Sequence, residues 1–268
     1  MQRRSFIKKA GLTAGVIGSV PFPATSLFSG AVDFPLIDLH VHRADGFGME
    51  QIMEIAEKRK VKFGIVEHPA PWAIKDDEGL KKYIDELRKY PVYIGLQPLT
   101  PGWDKSFSPE LVKQLDYILM DPQTIPLGNG QYQRIYELQT YVEDTESFMN
   151  RYMEYSLQIL NEEPVQIFAW PLFLPVCIAR DYYKLWTDDR MQQLISAAKK
   201  RNIAFEINDM SHTPHEHFIS MAKEQGLKFT FGSDSRNNNA GRLAYATSVA
   251  KKCNLKESDF FIPSRTRS

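Results

Sequence analysis

From Asp33 onward, short runs rich in β-branched and aromatic residues alternate with longer stretches whose apolar residues recur every three or four positions. The short runs are PLIDLHVH (35–42), KFGIVEH (62–68), VYIGLQ (92–97), DYILMD (116–121), VQIFAW (165–170), IAFEIND (203–209) and KFTFGSD (228–234). The longer stretches include 49–60, 77–90 and 144–163. A β-run followed by an amphipathic helix, repeated along a chain, is the pattern of a parallel sheet with crossover helices. Repeated seven times, it predicts an α/β fold of the TIM-barrel type: a distorted seven-stranded (β/α) barrel, forming one domain over residues 32–268. The last two runs are joined by TPHEHFISMAKEQG. Here Thr213 suits the N-cap, Pro214 the first helical turn, Glu216 the reciprocal capping position and Gly226 the stop. Residues 122–141 read as the longest irregular piece and a candidate lid.

In barrels of this type the chemistry collects at the C-terminal ends of the strands. Those ends carry His40 and His42, Glu67 and His68, Gln97, Asp121, Trp170, Asn208 and Asp209, and Asp234. Side chains two apart on a strand share a face, so Asp38, His40 and His42 are expected to point together into the barrel mouth. Two imidazoles at that spacing can bind one ion through their ring nitrogens. Glu206 and Asn208 likewise share a face opposite Phe205 and Ile207, so the apolar pair should pack on helices and turn the polar pair inward.

Composition changes this picture little. The chain has 268 residues, 43% of them hydrophobic, which is ample for a core, and its 33 basic residues balance 33 acidic ones. An even balance without long charged runs argues against a nucleic-acid partner. Cys177 and Cys253 match no zinc or redox spacing and read as packing thiols.

The N-terminus, MQRRSFIKKAGLTAGVIGSV, has the charged opening and short apolar stretch of an export signal. Arg3-Arg4-Ser5-Phe6-Ile7-Lys8 resembles the twin-arginine motif, which makes the twin-arginine export machinery a partner and the periplasm or the extracellular space the destination. The apolar part is short for a membrane span. Residues 1–31, with cleavage after Ala31, therefore read as a signal peptide that leaves no stable membrane anchor. Export in the folded state would let a metal be loaded in the cytoplasm.

DLHVH (38–42), VEHP (66–69), DYILMD (116–121), FEIND (205–209) and GSDSR (232–236) together resemble, in order and spacing, the motifs of the polymerase and histidinol phosphatase (PHP) family of metal-dependent hydrolases. The resemblance implies a PHP-like barrel and hydrolysis of a phosphoester by a metal-activated water, on a small-molecule substrate that is phosphorylated or sugar-like. The chain departs from the family pattern at Gln97, Asp121, Trp170 and Arg236, and no histidine follows His42 in RADGFG. Of the family's ligands His40, His42, His68 and Asp234 remain. That implies one divalent ion (Zn, Mn or Fe) on His40, His42 and Asp234, with His68 a further ligand, a substrate contact or a proton relay. Asp234 or Glu206 would act as base, or Glu206 would orient a histidine or join a hydrogen-bond network on the barrel floor. Arg236 would hold an anionic substrate group, with Arg43 and His212 supporting developing charge, or would fill the place of a lost ion by pairing with Asp121. Asn208 and Trp170 are expected to touch substrate, and Trp170 and Trp103 either stack on a sugar ring or pack. His215 and His217 read as first-turn helix residues. The rival expectation is a PHP-like binding protein for an anionic or sugar ligand that has lost catalysis.

Overall fold

The computed structural model of the protein describes residues 33–128 and 130–265. The stretch expected to be an export signal, with Arg3, Arg4 and the expected cleavage after Ala31, lies outside the described residues. The elements run β1 (Ile37–Val41), α1 (Met49–Arg59), β2 (Lys62–Glu67), α2 (Asp77–Leu87), β3 (Tyr93–Leu96), α3 (Pro109–Val112), β4 (Tyr117–Met120), β5 (Thr124–Gly128), β6 (Gln131–Arg134), α4 (Thr145–Glu162), β7 (Ile167–Phe168), α5 (Tyr182–Leu185), α6 (Asp188–Arg201), β8 (Ala204–Asn208), α7 (Glu216–Glu224), β9 (Phe229–Gly232) and α8 (Ala244–Lys252). Strands β1-β2-β3-β4-β7-β8-β9 pair in parallel in that order, and β1 closes on β9 through Asp38 and Phe231. All the predicted strands are present, and the fold is the expected closed, TIM-barrel-like α/β barrel. Among the described residues no helix is long and apolar enough to cross a membrane.

Alternation along the strands sorts the core into two layers. Phe63, Ile65, Ile94, Leu96, Phe205, Ile207, Phe229 and Phe231 face outward and pack with helix residues such as Leu80, Ile84, Phe148, Leu194 and Phe218. Ile37, Leu39, Val66, Tyr117, Leu119, Ile167 and Ala169 fill the barrel interior. Each large side chain buried this way contributes about 1.5–3 kcal/mol. Tyr117 reaches across the interior and donates its hydroxyl to the Leu39 carbonyl at 2.6 Å. Only a glycine leaves room for its ring at position 95, where a Cβ would stand 2.6 Å from the ring carbon Cζ.

Strict alternation fails in β1. Asp38 pairs with Phe63 but Val41 pairs with Ile65, so three residue steps on β1 face two on β2, a β-bulge. Asp38 is in register with Phe63 and Phe231 and therefore shares their outward face, whereas His40 and His42 turn inward beyond the bulge. This corrects the expectation that all three point together. Asp38 instead accepts hydrogen bonds from the amides of His40 (3.2 Å), Ser233 (2.9 Å) and Gly241 (2.8 Å). It thus ties the bulge to the loop that follows β9.

Three local expectations also change. The 122–141 segment is irregular only in part: β5 and β6 form an antiparallel hairpin anchored by the buried Ile125 and Ile135, and turns and irregular chain follow to residue 141. Helix α7 starts at Glu216 with His215 at its N-cap, and not at Thr213. The Thr213 carbonyl accepts from the Asn208 amide at 2.7 Å and its hydroxyl meets that of Ser211 at 2.7 Å, which holds Thr213 against the end of β8. Gly226 does stand just past the helix end. Cys177 is exposed and Cys253 half-buried, so only the latter packs at all.

Candidate metal centre

The bulge in β1, the inward face of β8 and the exit of β9 bring three predicted residues together. His40, His42 and Asp234, all buried, each offer one ligand atom within 4.8 Å of the others. The Nε2 atoms of His40 and His42 both lie 3.4 Å from Oδ1 of Asp234. Both nitrogens are buried and have no hydrogen-bond partner among the described residues. A buried polar atom without a partner costs about 1–3 kcal/mol, so two of them facing one carboxylate mark a place for a ligand.

Glu206 fixes the first histidine. Its Oε1 lies 2.7 Å from Nδ1 of His40, and its Oε2 accepts from the Trp170 amide and from Nδ2 of Asn208, both at 3.0 Å. A carboxylate only accepts, so Nδ1 of His40 carries the proton and Nε2 is the atom turned to Asp234. Gly232 makes this approach possible, since a Cβ there would stand 2.6 Å from the Glu206 carboxyl carbon and 2.8 Å from Cβ of His40. Of the two expectations for Glu206, the contacts are those of a residue that orients a histidine.

The charges agree with this arrangement. Burial pulls the His40 pKa down, but the carboxylates of Asp234 and Glu206 outweigh it and raise the pKa to about 10. Burial lowers that of His42 to about 3. Burial opposes ionisation of Asp234, yet the neighbouring His40, His42 and Arg236 hold its carboxyl well below the usual range. Without a metal, then, a proton on His40 balances the carboxylates; a divalent cation is the natural replacement for that proton. Backbone strain collects at the same place. Trp170, Leu172, His212 and Asp234, beyond the exits of β7, β8 and β9, have φ of +47°, +65°, +55° and +45°. Non-glycine residues adopt that region rarely, and it concentrates at functional sites.

The remaining candidates divide. His68 adjoins the group, with its ring 5.1 Å from that of His42 and its Nδ1 2.9 Å from the Gln97 carbonyl. With His42 and Glu67 it forms a second ligand-capable group. Glu67 escaped the sequence reading as a ligand because alternation aims it at the helices; in the fold its Oε1 accepts from the His68 amide at 2.9 Å. Gln97 donates from Nε2 to Oδ2 of Asp121 at 2.7 Å, so the exits of β3 and β4 are joined by a buried hydrogen bond. Burial pushes the Asp121 carboxyl up to about 6. Arg236 donates from Nη1 to Oδ1 of Asp234 at 2.7 Å, and not to Asp121.

Other expected substrate contacts lie elsewhere. Both ends of the Asn208 amide are engaged, Nδ2 by Glu206 and Oδ1 by the amides of Met210 and Ser211, so it positions the loop. Arg43 is drawn away to Glu86 (2.7 Å) and over the ring of Tyr83. His212 stacks on Tyr245, 4.7 Å between centroids and 10° between planes, on a separate cavity. Trp170 packs on Phe173 at 4.6 Å and Trp103 on Phe107; both are buried, which makes them packing residues. His215 stands at the N-cap position of α7 with its Nδ1 3.2 Å from the Tyr182 hydroxyl, and His217 pairs with Asp188.

Fold and site together define a closed seven-stranded parallel barrel whose mouth holds a buried His40–His42–Asp234 group able to take a metal ion. The donor set suits one: two imidazole nitrogens with no other partner, a carboxylate, and an outer carboxylate on the first histidine. No protein-family model matches the chain, and no curated protein matches it either.

Proposed function

We propose that the protein is an exported metal-dependent hydrolase acting on phosphoesters, a divergent relative of the PHP family that holds one divalent ion (Zn, Mn or Fe) on His40, His42 and Asp234. The observation that carries this reading is the pair of buried, partnerless Nε2 atoms converging on one carboxylate at the C-terminal mouth of a barrel. An ion in that position serves as a Lewis acid and lowers the pKa of water it holds.

The chain's own residues do the rest. Glu206 keeps Nε2 of His40 turned to Asp234, and Asp234 supplies negative charge to that place. Arg236, with 45% of its side chain exposed, uses only Nη1 on Asp234. Its Nη2 and Nε have no partner among the described residues and offer an anionic group the planar fork that suits phosphate. The substrate is a small molecule, phosphorylated or sugar-like. The paired arginines near the N-terminus support export by the twin-arginine route to the periplasm or beyond.

Two contacts favour a second reading, a barrel that binds its ligand without turning it over. The Gln97–Asp121 hydrogen bond closes two ligand positions, and Arg236 places a cation on the carboxylate a metal would use. A phosphoester panel with metal-loaded wild type, His40→Ala and Arg236→Lys separates the two. The hydrolase predicts turnover by wild type, none by His40→Ala, and a drop of about ten- to a hundredfold in Arg236→Lys with metal retained, since each charge-assisted bond is worth about 1.5–3 kcal/mol. Activity that survives His40→Ala, or none in metal-loaded wild type, refutes the hydrolase and favours the binding protein.

A further inference from the structure

The metal group does not close the barrel mouth by itself. Asp234 also lines a cavity of about 380 Å³ formed by the ends of β8 and β9 and the loop running to α8. Its wall carries Ser233, Arg236, Asn239, Arg242 and Asp209 as well. Such a volume suits a small ligand, within the ordinary range for binding clefts.

The charges on this wall are unequal in their freedom. Asp234 and Arg236 neutralise each other at 2.7 Å. Asp209 spends its carboxylate at the start of α8, where Oδ1 accepts from the Ala246 amide at 2.9 Å. Arg242 makes no ion pair and no side-chain hydrogen bond among the described residues. Close by, Arg59 donates to the carbonyls of Ala240 and Asn238 and so braces the loop that presents Arg242. Burial and then the Arg242 charge lower the pKa of Arg59, with Asp38 opposing them, so the two guanidinium groups feel each other. An uncommitted guanidinium beside a second one, in a cavity that shares a wall with a metal-ligating carboxylate, is complementary to negative charge on a bound molecule.

We propose that this cavity is a second anion subsite, with Arg242 as its anchor and Arg236 bridging it to the metal centre. The substrate is then a small molecule with two anionic groups, one at the metal and one, a phosphate, sulfate or carboxylate, on Arg242. This deepens the functional reading above and rests on it. Arg242 is a specificity residue: it selects substrates by their distal charge and takes no part in bond cleavage.

Calorimetric binding to the zinc-loaded protein tests the subsite without needing turnover. The probes are ethylphosphonate, which has one anionic group, and the series phosphonoacetate, phosphonopropionate and phosphonobutyrate, which adds a carboxylate at increasing reach. Wild type should prefer the best-fitting member of the series over ethylphosphonate by about tenfold or more. Arg242→Gln should reduce that preference below about threefold while leaving ethylphosphonate affinity unchanged, and Arg242→Lys should keep part of it. Arg242 is exposed, so neither variant threatens the fold. A wild type without the preference, or a preference that survives Arg242→Gln, overturns the subsite alone if ethylphosphonate still binds. If no phosphonate binds the metal-loaded protein, the phosphoesterase reading falls together with it.

Discussion

Changing Glu206 to glutamine keeps the side chain's shape and removes one acceptor oxygen. Glu206 accepts three hydrogen bonds in a fully buried place: from Nδ1 of His40 at 2.7 Å, and from the Trp170 amide and Nδ2 of Asn208 at 3.0 Å each. Glutamine has two orientations there. With its oxygen toward His40, its NH2 group confronts two other donors. Flipped, its oxygen serves Trp170 and Asn208, and its NH2 donates to Nδ1 of His40. The flipped form satisfies every group but moves the His40 proton to Nε2, the atom that would ligate the proposed ion. Metal binding therefore has to reverse the flip and leave buried donors opposed, at a cost of about 2–4 kcal/mol, or about 30- to 700-fold in affinity. Carboxylates behind metal-ligating histidines typically carry about 10- to 100-fold, which points to the lower part of that range. The assay is a competition titration against a chromogenic chelator, with circular dichroism to show that the variant is folded. A folded Glu206→Gln variant with wild-type metal affinity would refute the role given to Glu206.

Gly232→Ala should reproduce the metal defect from the other side, because its Cβ would press on both Glu206 and His40. A loss of about tenfold or more in the same titration is expected, with about 1–3 kcal/mol of destabilisation in a urea melt from overpacking. His215 bears on acid stability: burial, then His217, lowers its pKa from 6.5 to about 4. In that window the unfolded chain holds a proton that the folded one does not, so stability falls as pH drops through it. In His215→Asn the fall should be shallower, as read from denaturant melts across the window; an unchanged slope contradicts the assignment. Finally, export should fail in the double variant Arg3→Lys, Arg4→Lys, because the export receptor reads arginine and not merely positive charge; fractionation of producing cells checks it.

The barrel was legible because each strand carries its own hydrophobic signal and each helix its own period, and the order of the two fixes a parallel sheet. His40, His42 and Asp234 could be grouped because all three sit at strand exits. Asp38 was misplaced because a bulge inserts one residue without any mark in the local pattern; what holds it is a contact with Gly241, about 200 residues on. Thr213 has the chemistry of a cap, but a tertiary bridge to Asn208 claims its backbone first. Arg43 and His212 went astray for a related reason: their partners, Glu86 and Tyr245, lie on helices whose facing sides no strand pattern reveals. Arg242 drew no attention in the sequence, since an arginine in a loop has no distinguishing neighbour until the fold sets it on the wall that Asp234 shares.

The central claim is that His40, His42 and Asp234 hold one divalent ion. Elemental analysis of protein purified without chelator, alongside the double variant His40→Ala, His42→Ala, tests it most directly. The account predicts about one ion per chain in wild type and none in the double variant, because the remaining ligands cannot complete a shell. Metal-free wild type would contradict it, as would a double variant that keeps its ion. Two or more ions per chain in wild type would show that His68 with Glu67, or Gln97 with Asp121, still bind metal.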